Sequence, residues 1–174
     1  MESADMKRLL LVLAALAVAA PAWGQTAPTP APAAAPAPPL SYGAPIGLEA
    51  AQALIDRAVE AGGARGFRLA VAVVEPSGEL VAFGRMDDVQ YGSIAVAQAK
   101  ARSSARFRAS SASAEERLAA GRIALLAIDG IVPVAGGVPI VVDDRVVGAI
   151  GVSGASSAQD DEVARAAIAA VFGG

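Results

Sequence analysis

The chain has 174 residues, 14 basic and 17 acidic side chains, a net charge of -3, and 55% hydrophobic residues of which few are aromatic (4%). That length suits one domain of ordinary size, and the mild acidity gives no support for a nucleic-acid partner, which needs a clustered basic face. Cysteine and histidine are both absent, which excludes disulfides, thiol nucleophiles, zinc sites of the Cys/His type and every Ser-His or Cys-His relay.

From Met6 the sequence reads MKRLLLVLAALAVAAPAWGQ. Lys7 and Arg8 supply a positive start, residues 9–20 an apolar run, and Ala22 and Gly24 the small residues before Gln25. This is the grammar of a secretory signal peptide over residues 1–24, with an apolar run too short to span a bilayer comfortably. The expected protein is therefore periplasmic or secreted and free of the membrane once the leader is removed. Residues 25–45, QTAPTPAPAAAPAPPLSYGAP, read as an Ala/Pro tether, because proline lacks the N–H and the freedom in φ that a packed core needs. The folded domain is expected over 46–174.

Within it, LEAAQALIDRAVEAGG places Leu54, Ile55, Ala58 and Ala61 on one helical stripe that Gly62 and Gly63 stop. FRLAVAVVE and ELVAFGRM form a hairpin whose turn uses Pro76 and Gly78. Residues 93–107 have helical period with Ile94, Ala95 and Ala99 inward, and Ser113 with Glu116 makes a capping box for a short helix through Ala120. Residues 138–142 and 146–153 are strands joined at Asp143 and Asp144, apolar at nearly every position, so both faces of the sheet need cover. A closing helix runs over about 159–172, capped by Ser157, with Asp160, Asp161 and Glu162 in its first turn where the helix dipole favours negative charge. The order predicts an α/β (α+β) fold, an α-β-α sandwich around an antiparallel sheet of about five strands.

Gly148, Gly151 and Gly154 lack the G-x-G-x-x-G spacing of a nucleotide loop, and Ser153 in GVSGA lacks both the final glycine and the base of a nucleophile elbow. The loop GRMDDVQYGS is the better candidate, because Arg85, Asp87 and Asp88 can orient a polar ligand there; the competing reading is a strand end with a local ion pair. Beyond leader and tether, the one methionine (Met86), one tyrosine (Tyr91) and one lysine (Lys100) all fall in this loop or the helix after it. An amine shifts its pKa where a guanidinium does not, although an arginine-biased composition also leaves a lone lysine by chance. Gly136 and Gly137, followed by Pro139, either open backbone N–H groups to an anionic ligand or simply turn the chain.

Taken together, VAVVEPSGELVAFGRMDD, SIAVAQAKARSSARF, GGVPIVVDDRVVGAIGVSG and AQDDEVARAAIAA resemble the GlcG/HbpS family of haem-binding-type proteins over residues 47–172. The resemblance implies a profilin-like fold and a small-ligand binder, a homo-oligomer in typical members, some of which bind haem, degrade it or act as extracellular sensor accessories. It implies haem as the cofactor, with Met86 and Tyr91 as the conventional iron ligands present, Ser103, Ser104 and Lys100 as weaker donors, and Arg85, Arg102 and Arg106 for the propionates. The expected site lies between segment 84–107 and the turn at Gly136, Gly137 and Pro139, in an exported, non-enzymatic binding protein for haem or a related planar tetrapyrrole, serving storage, sensing or degradation. An alternative is an enzyme or catabolic accessory acting on small carboxylates such as glycolate-type compounds, with Lys100 as base or Schiff-base amine and Arg85 or Arg106 as clamp. A third reading is a structural oligomer without a ligand.

Overall fold

A computed structural model describes residues 40–173 and arranges them as β1 (Ser41–Tyr42), α1 (Leu48–Gly63), β2 (Ala70–Val74), β3 (Leu80–Arg85), α2 (Tyr91–Phe107), α3 (Ser111–Ala119), a 3-10 turn (Ile123–Ala127), β4 (Gly137–Val142), β5 (Arg145–Ser153) and α4 (Ser157–Phe172). The leader expected over 1–24 and most of the tether lie outside the described residues. The four longer strands lie side by side as β4-β5-β2-β3, each antiparallel to its neighbour, while β1 pairs with β5 in parallel. The sheet is therefore mixed rather than purely antiparallel.

β1 sits inside the stretch read as tether. Two residues carry no period, so nothing in the sequence marks them, but the chain is firmly held there. Gly43 and Ile46 donate backbone hydrogen bonds to Val146 and Val147 of β5 at 2.9 and 2.8 Å. The Tyr42 hydroxyl donates to the Arg106 carbonyl at 2.8 Å, satisfying a free acceptor at the C-terminal end of α2. Arg108 lies over the Tyr42 ring and donates to the Leu40 carbonyl at 2.6 Å. Folded structure thus begins before Ile46, and the domain contains two tyrosines rather than one.

The hairpin β4–β5 turns through Asp143 and Asp144, both at positive φ (49° and 59°), the requirement of a tight turn whose twist matches the strands. Ile140 and Ile150 are fully buried and Val147 packs at the edge of the same core, so the carboxy-terminal hairpin is a sheet interior. α1 and α4 cover one face with Leu54, Val71, Val73, Ile150, Val152 and Val163 in a single cluster. α2 covers the other through Ala97, Ala101 and Ala105 against Ala70, Ala72 and Ala149.

The fit of α2 depends on a glycine pair. Gly137 and Gly151 face each other across β4 and β5. A Cβ at Gly151 would strike the backbone of Ala97 and Ala101, and one at Gly137 the backbone of Lys100. The helix therefore rides directly on the strands, and only small residues fit between them. This overturns the expected inward face: Ser93, Ala97, Lys100, Ala101 and Ala105 point in, whereas Ala95 is exposed and Ile94 and Ala99 are half-buried. Two caps also shift by a residue or more. Ser110, not Ser113, caps α3 by accepting the Ser113 N–H, and Ser156, not Ser157, caps α4 in a reciprocal box with Gln159.

Candidate ligand site

β3 ends at Arg85, and Asp88, at φ 62°, reverses the chain into α2; aspartate tolerates this left-handed conformation better than most residues. Val89 tucks beneath the helix at 8% exposure and anchors the loop. Around it Arg85, Asp87, Asp88 and Tyr91 line a hollow of about 320 Å³. Arg85, Asp87 and Asp88 enter none of the ion pairs found among the described residues. Tyr91, the first residue of α2, is 85% exposed with its hydroxyl in solvent. Gln90 caps the helix with no side-chain bond to its N–H groups; its amide donates to the Ser93 hydroxyl, and its carbonyl accepts the Ser93 N–H at 3.0 Å.

The other expected residues lie elsewhere, each for a physical reason. Met86 turns away from the hollow: its sulfur accepts the Leu69 N–H at 3.3 Å and its chain packs on the α1–α4 side of the sheet. Lys100 is 1% exposed, its amine held by the Asp160 carboxylate at 2.9 Å and the Val152 carbonyl at 3.0 Å. Met86, Tyr91 and Lys100 are therefore not brought together. Arg102 and Arg106 hold the carbonyls of Gly78 and Ser77 in the β2–β3 turn. Arg106 lies fifteen residues along α2 from Tyr91, about 22 Å at 1.5 Å per residue. Lys100, expected as base or Schiff-base amine in the small-carboxylate reading, is instead buried and paired with Asp160, away from both Arg85 and Arg106.

Gly136 and Gly137 are likewise closed. Gly137 donates its N–H to the Ser111 hydroxyl at 2.8 Å, and a Cβ at Gly136 (φ 117°) would sit 2.9 Å from the Lys100 amine and 2.8 Å from Cβ of Asp160. Pro139 lies on edge strand β4, beside a separate groove with Val141 and Ile168. Ser103 accepts the Val132 N–H at 3.0 Å, and Ser153 donates to Ser93 at 3.2 Å.

Sequence reasoning singled out Lys100 but not its partner. Its place in the first turn of α4 marks Asp160 as a helix-dipole charge, yet it is 2% exposed and joins α2 to α4, its second oxygen accepting the Ala155 N–H at 3.0 Å. Burial pushes its carboxyl above the ordinary 3.8, while the hydrogen bonds from Lys100 and Ala155 pull it back. Glu115 was also missed: its two oxygens accept the Ala135 N–H at 2.9 Å and the Ser157 hydroxyl at 3.2 Å, tying α3 to the entry of β4 and the start of α4. Nothing local marks such partners, because they lie tens of residues apart in the chain.

Among the described residues, no group of three or more acidic side chains is placed to hold a metal ion, and no helix is long and apolar enough to cross a membrane. Comparison with known proteins fits this architecture. HbpS of Streptomyces reticuli, solved as a double mutant, superposes with a TM-score of 0.69 at 34% identity, covering 83% of this chain and 99% of that one. Protein GlcG of Escherichia coli (strain K12) is 37% identical over 103 residues, which are 59% of this chain and 77% of GlcG. PduOC, solved in complex with haem, shares the fold at a TM-score of 0.68 and 24% identity, covering 74% of this chain and 96% of that one. Residues 46–169 match the family described as haem degrading protein HbpS-like, and the chain belongs to that family.

Proposed function

We propose that this protein is an exported haem-binding protein, with Tyr91 as the iron ligand and Arg85 as the partner of one propionate. The observation that carries this reading is the state of the donor set. Haem iron takes His, Cys, Met or Tyr, and the first two are absent from the chain. Among the described residues Met86 is engaged by Leu69, Tyr42 by Arg106, and Lys100 by Asp160. Among the described residues Tyr91 is the exposed tyrosine whose hydroxyl makes no hydrogen bond within the protein, and Arg85 stands in the same hollow. Ala95 and Val96, exposed one turn further along α2, offer apolar surface to the porphyrin. Family membership and the haem complex of PduOC support the choice of ligand.

The role is binding, for storage or sensing, in the periplasm or outside the cell, as the leader read over residues 1–24 directs. A homo-oligomer is part of the same reading. Phe107, Ile123, Leu126, Ile128 and Val134 stand exposed within one short span of chain, and a second copy would cover them. Hemin added to purified protein is expected to shift the Soret band and saturate at one per chain, with weaker binding in Arg85→Ala. An unshifted band throughout the titration refutes the haem reading. Native mass spectrometry reads the subunit count, and a monomer at all concentrations refutes the oligomer.

A further inference from the structure

Beyond the haem reading, we infer that the hollow at the start of α2 binds a free dibasic amino acid of the L-lysine type. The inference shares Arg85 with that reading but needs neither iron nor porphyrin. Its charges carry the argument. Arg85, Asp87 and Asp88 line one concavity of about 320 Å³, at the small end of ligand pockets and large enough for an amino acid. Opposite charges this close in sequence ordinarily neutralise one another across a strand end. Here they do not, for none of the three enters an ion pair found among the described residues. One cation and two anions therefore line a shared space with their charges unmatched by each other.

A ligand that completes this set carries one carboxylate and two ammonium groups, which is the charge pattern of a dibasic amino acid. Arg85 offers a planar fork of donors to the carboxylate, and Asp87 and Asp88 accept the ammonium protons. Tyr91 adds an aromatic ring to the lining, whose face attracts an ammonium. Val89, 8% exposed, is the apolar part of the lining, and the methylenes between the two amines rest on it. The two carboxylates against one guanidinium leave the hollow with a negative excess, which the extra ammonium of such a ligand offsets. A ligand lacking any one of the three charges leaves the corresponding side chain unmatched.

That last point supplies the test. The full chain, isotope-labelled for NMR, is titrated at low salt with L-lysine and with three analogues that each lack one charged group. Norleucine lacks the side-chain amine, ε-aminocaproate the α-amine and cadaverine the carboxylate. L-lysine is expected to shift the amide signals of Asp88, Val89 and Tyr91. It should bind about fivefold more tightly than each analogue, the worth of one exposed ion pair. Arg85→Gln should erase the advantage over cadaverine and keep the advantage over norleucine. Asp87→Asn combined with Asp88→Asn should do the opposite. The three side chains are exposed, so these changes leave the core intact. Equal affinity for all four ligands, an advantage over cadaverine that survives in Arg85→Gln, or signals that stay still throughout segment 85–91 overturns the inference. None of these results touches the haem reading, which is measured separately at the Soret band.

Discussion

The two faces of the sheet are built from the same strands in opposite ways. On the α1–α4 face, alternate positions of β2 and β5 place Val71, Val73, Ile150 and Val152 against Leu54 and Val163. On the α2 face, the intervening positions are Ala70, Ala72, Ala149 and Gly151, and the helix backbone sits almost on the strands. The first face is held by side-chain volume; the second by the lack of it. The buried polar groups gather on the second side and at its margin with α4: Ser93, Lys100, Ser103, Ser104, Ser111, Ser153 and Asp160. A helix with few large side chains to lock it is fixed by close approach and by polar pins, and Tyr91 stands at its start. The tight face therefore sets where the candidate ligand site lies.

This contrast is broken most severely at the Lys100–Asp160 pair. Lys100→Met leaves Asp160 buried without its counter-charge and should cost about 3–5 kcal/mol in urea denaturation near neutral pH. Adding Asp160→Leu should recover most of the loss, since replacing both charges by apolar groups removes the uncompensated one. The single variant also has a pH signature. Without Lys100, burial raises the Asp160 carboxyl further above 3.8. A raised folded-state value means a contribution to stability that is full below the unfolded value and lost as pH rises through the folded one. The deficit of Lys100→Met should therefore be largest near neutrality and shrink on acidification toward about pH 4. A deficit of constant size across that range contradicts this assignment.

The next two variants sharpen the difference between the faces. Leu54→Ala empties the volume-packed face and should cost about 2–5 kcal/mol, with α2 undisturbed. Gly151→Ala does the reverse, adding one methyl where the Ala97 and Ala101 backbone leaves no room. It should cost about 1–3 kcal/mol by overpacking and should weaken hemin binding as α2 shifts. A Gly151→Ala protein as stable as the original contradicts the close-approach account. At the small end, Ser156→Ala removes the cap of α4 and should cost about 1 kcal/mol in the same assay.

Legibility in the sequence followed the same division. The β4–β5 hairpin announces itself because its two-sided apolar runs and paired aspartates have no other use. α1 does so because Leu54, Ile55 and Ala58 recur at helical spacing. The inward face of α2 stayed hidden because periodicity is read from large apolar residues, and the tight face excludes them; Ile94 points the wrong way for that reason. β1 is too short for a pattern and lies in proline-rich sequence. Of the site, the loop residues Arg85, Asp87, Asp88 and Tyr91 are neighbours in sequence and meet in space. Lys100, Arg106 and Gly136 depended on long-range partners, which composition and spacing do not encode.

Both faces meet in one question: whether ligand chemistry belongs to the exposed end of the tightly seated helix or to the core beside it. Hemin titrations of Tyr91→Phe and Met86→Leu, run side by side and followed at the Soret band, decide it. Tyr91→Phe should abolish the shift while Met86→Leu binds as the unaltered protein does. An unchanged titration in Tyr91→Phe, or a lost one in Met86→Leu, would move the ligand away from the start of α2 and contradict the account.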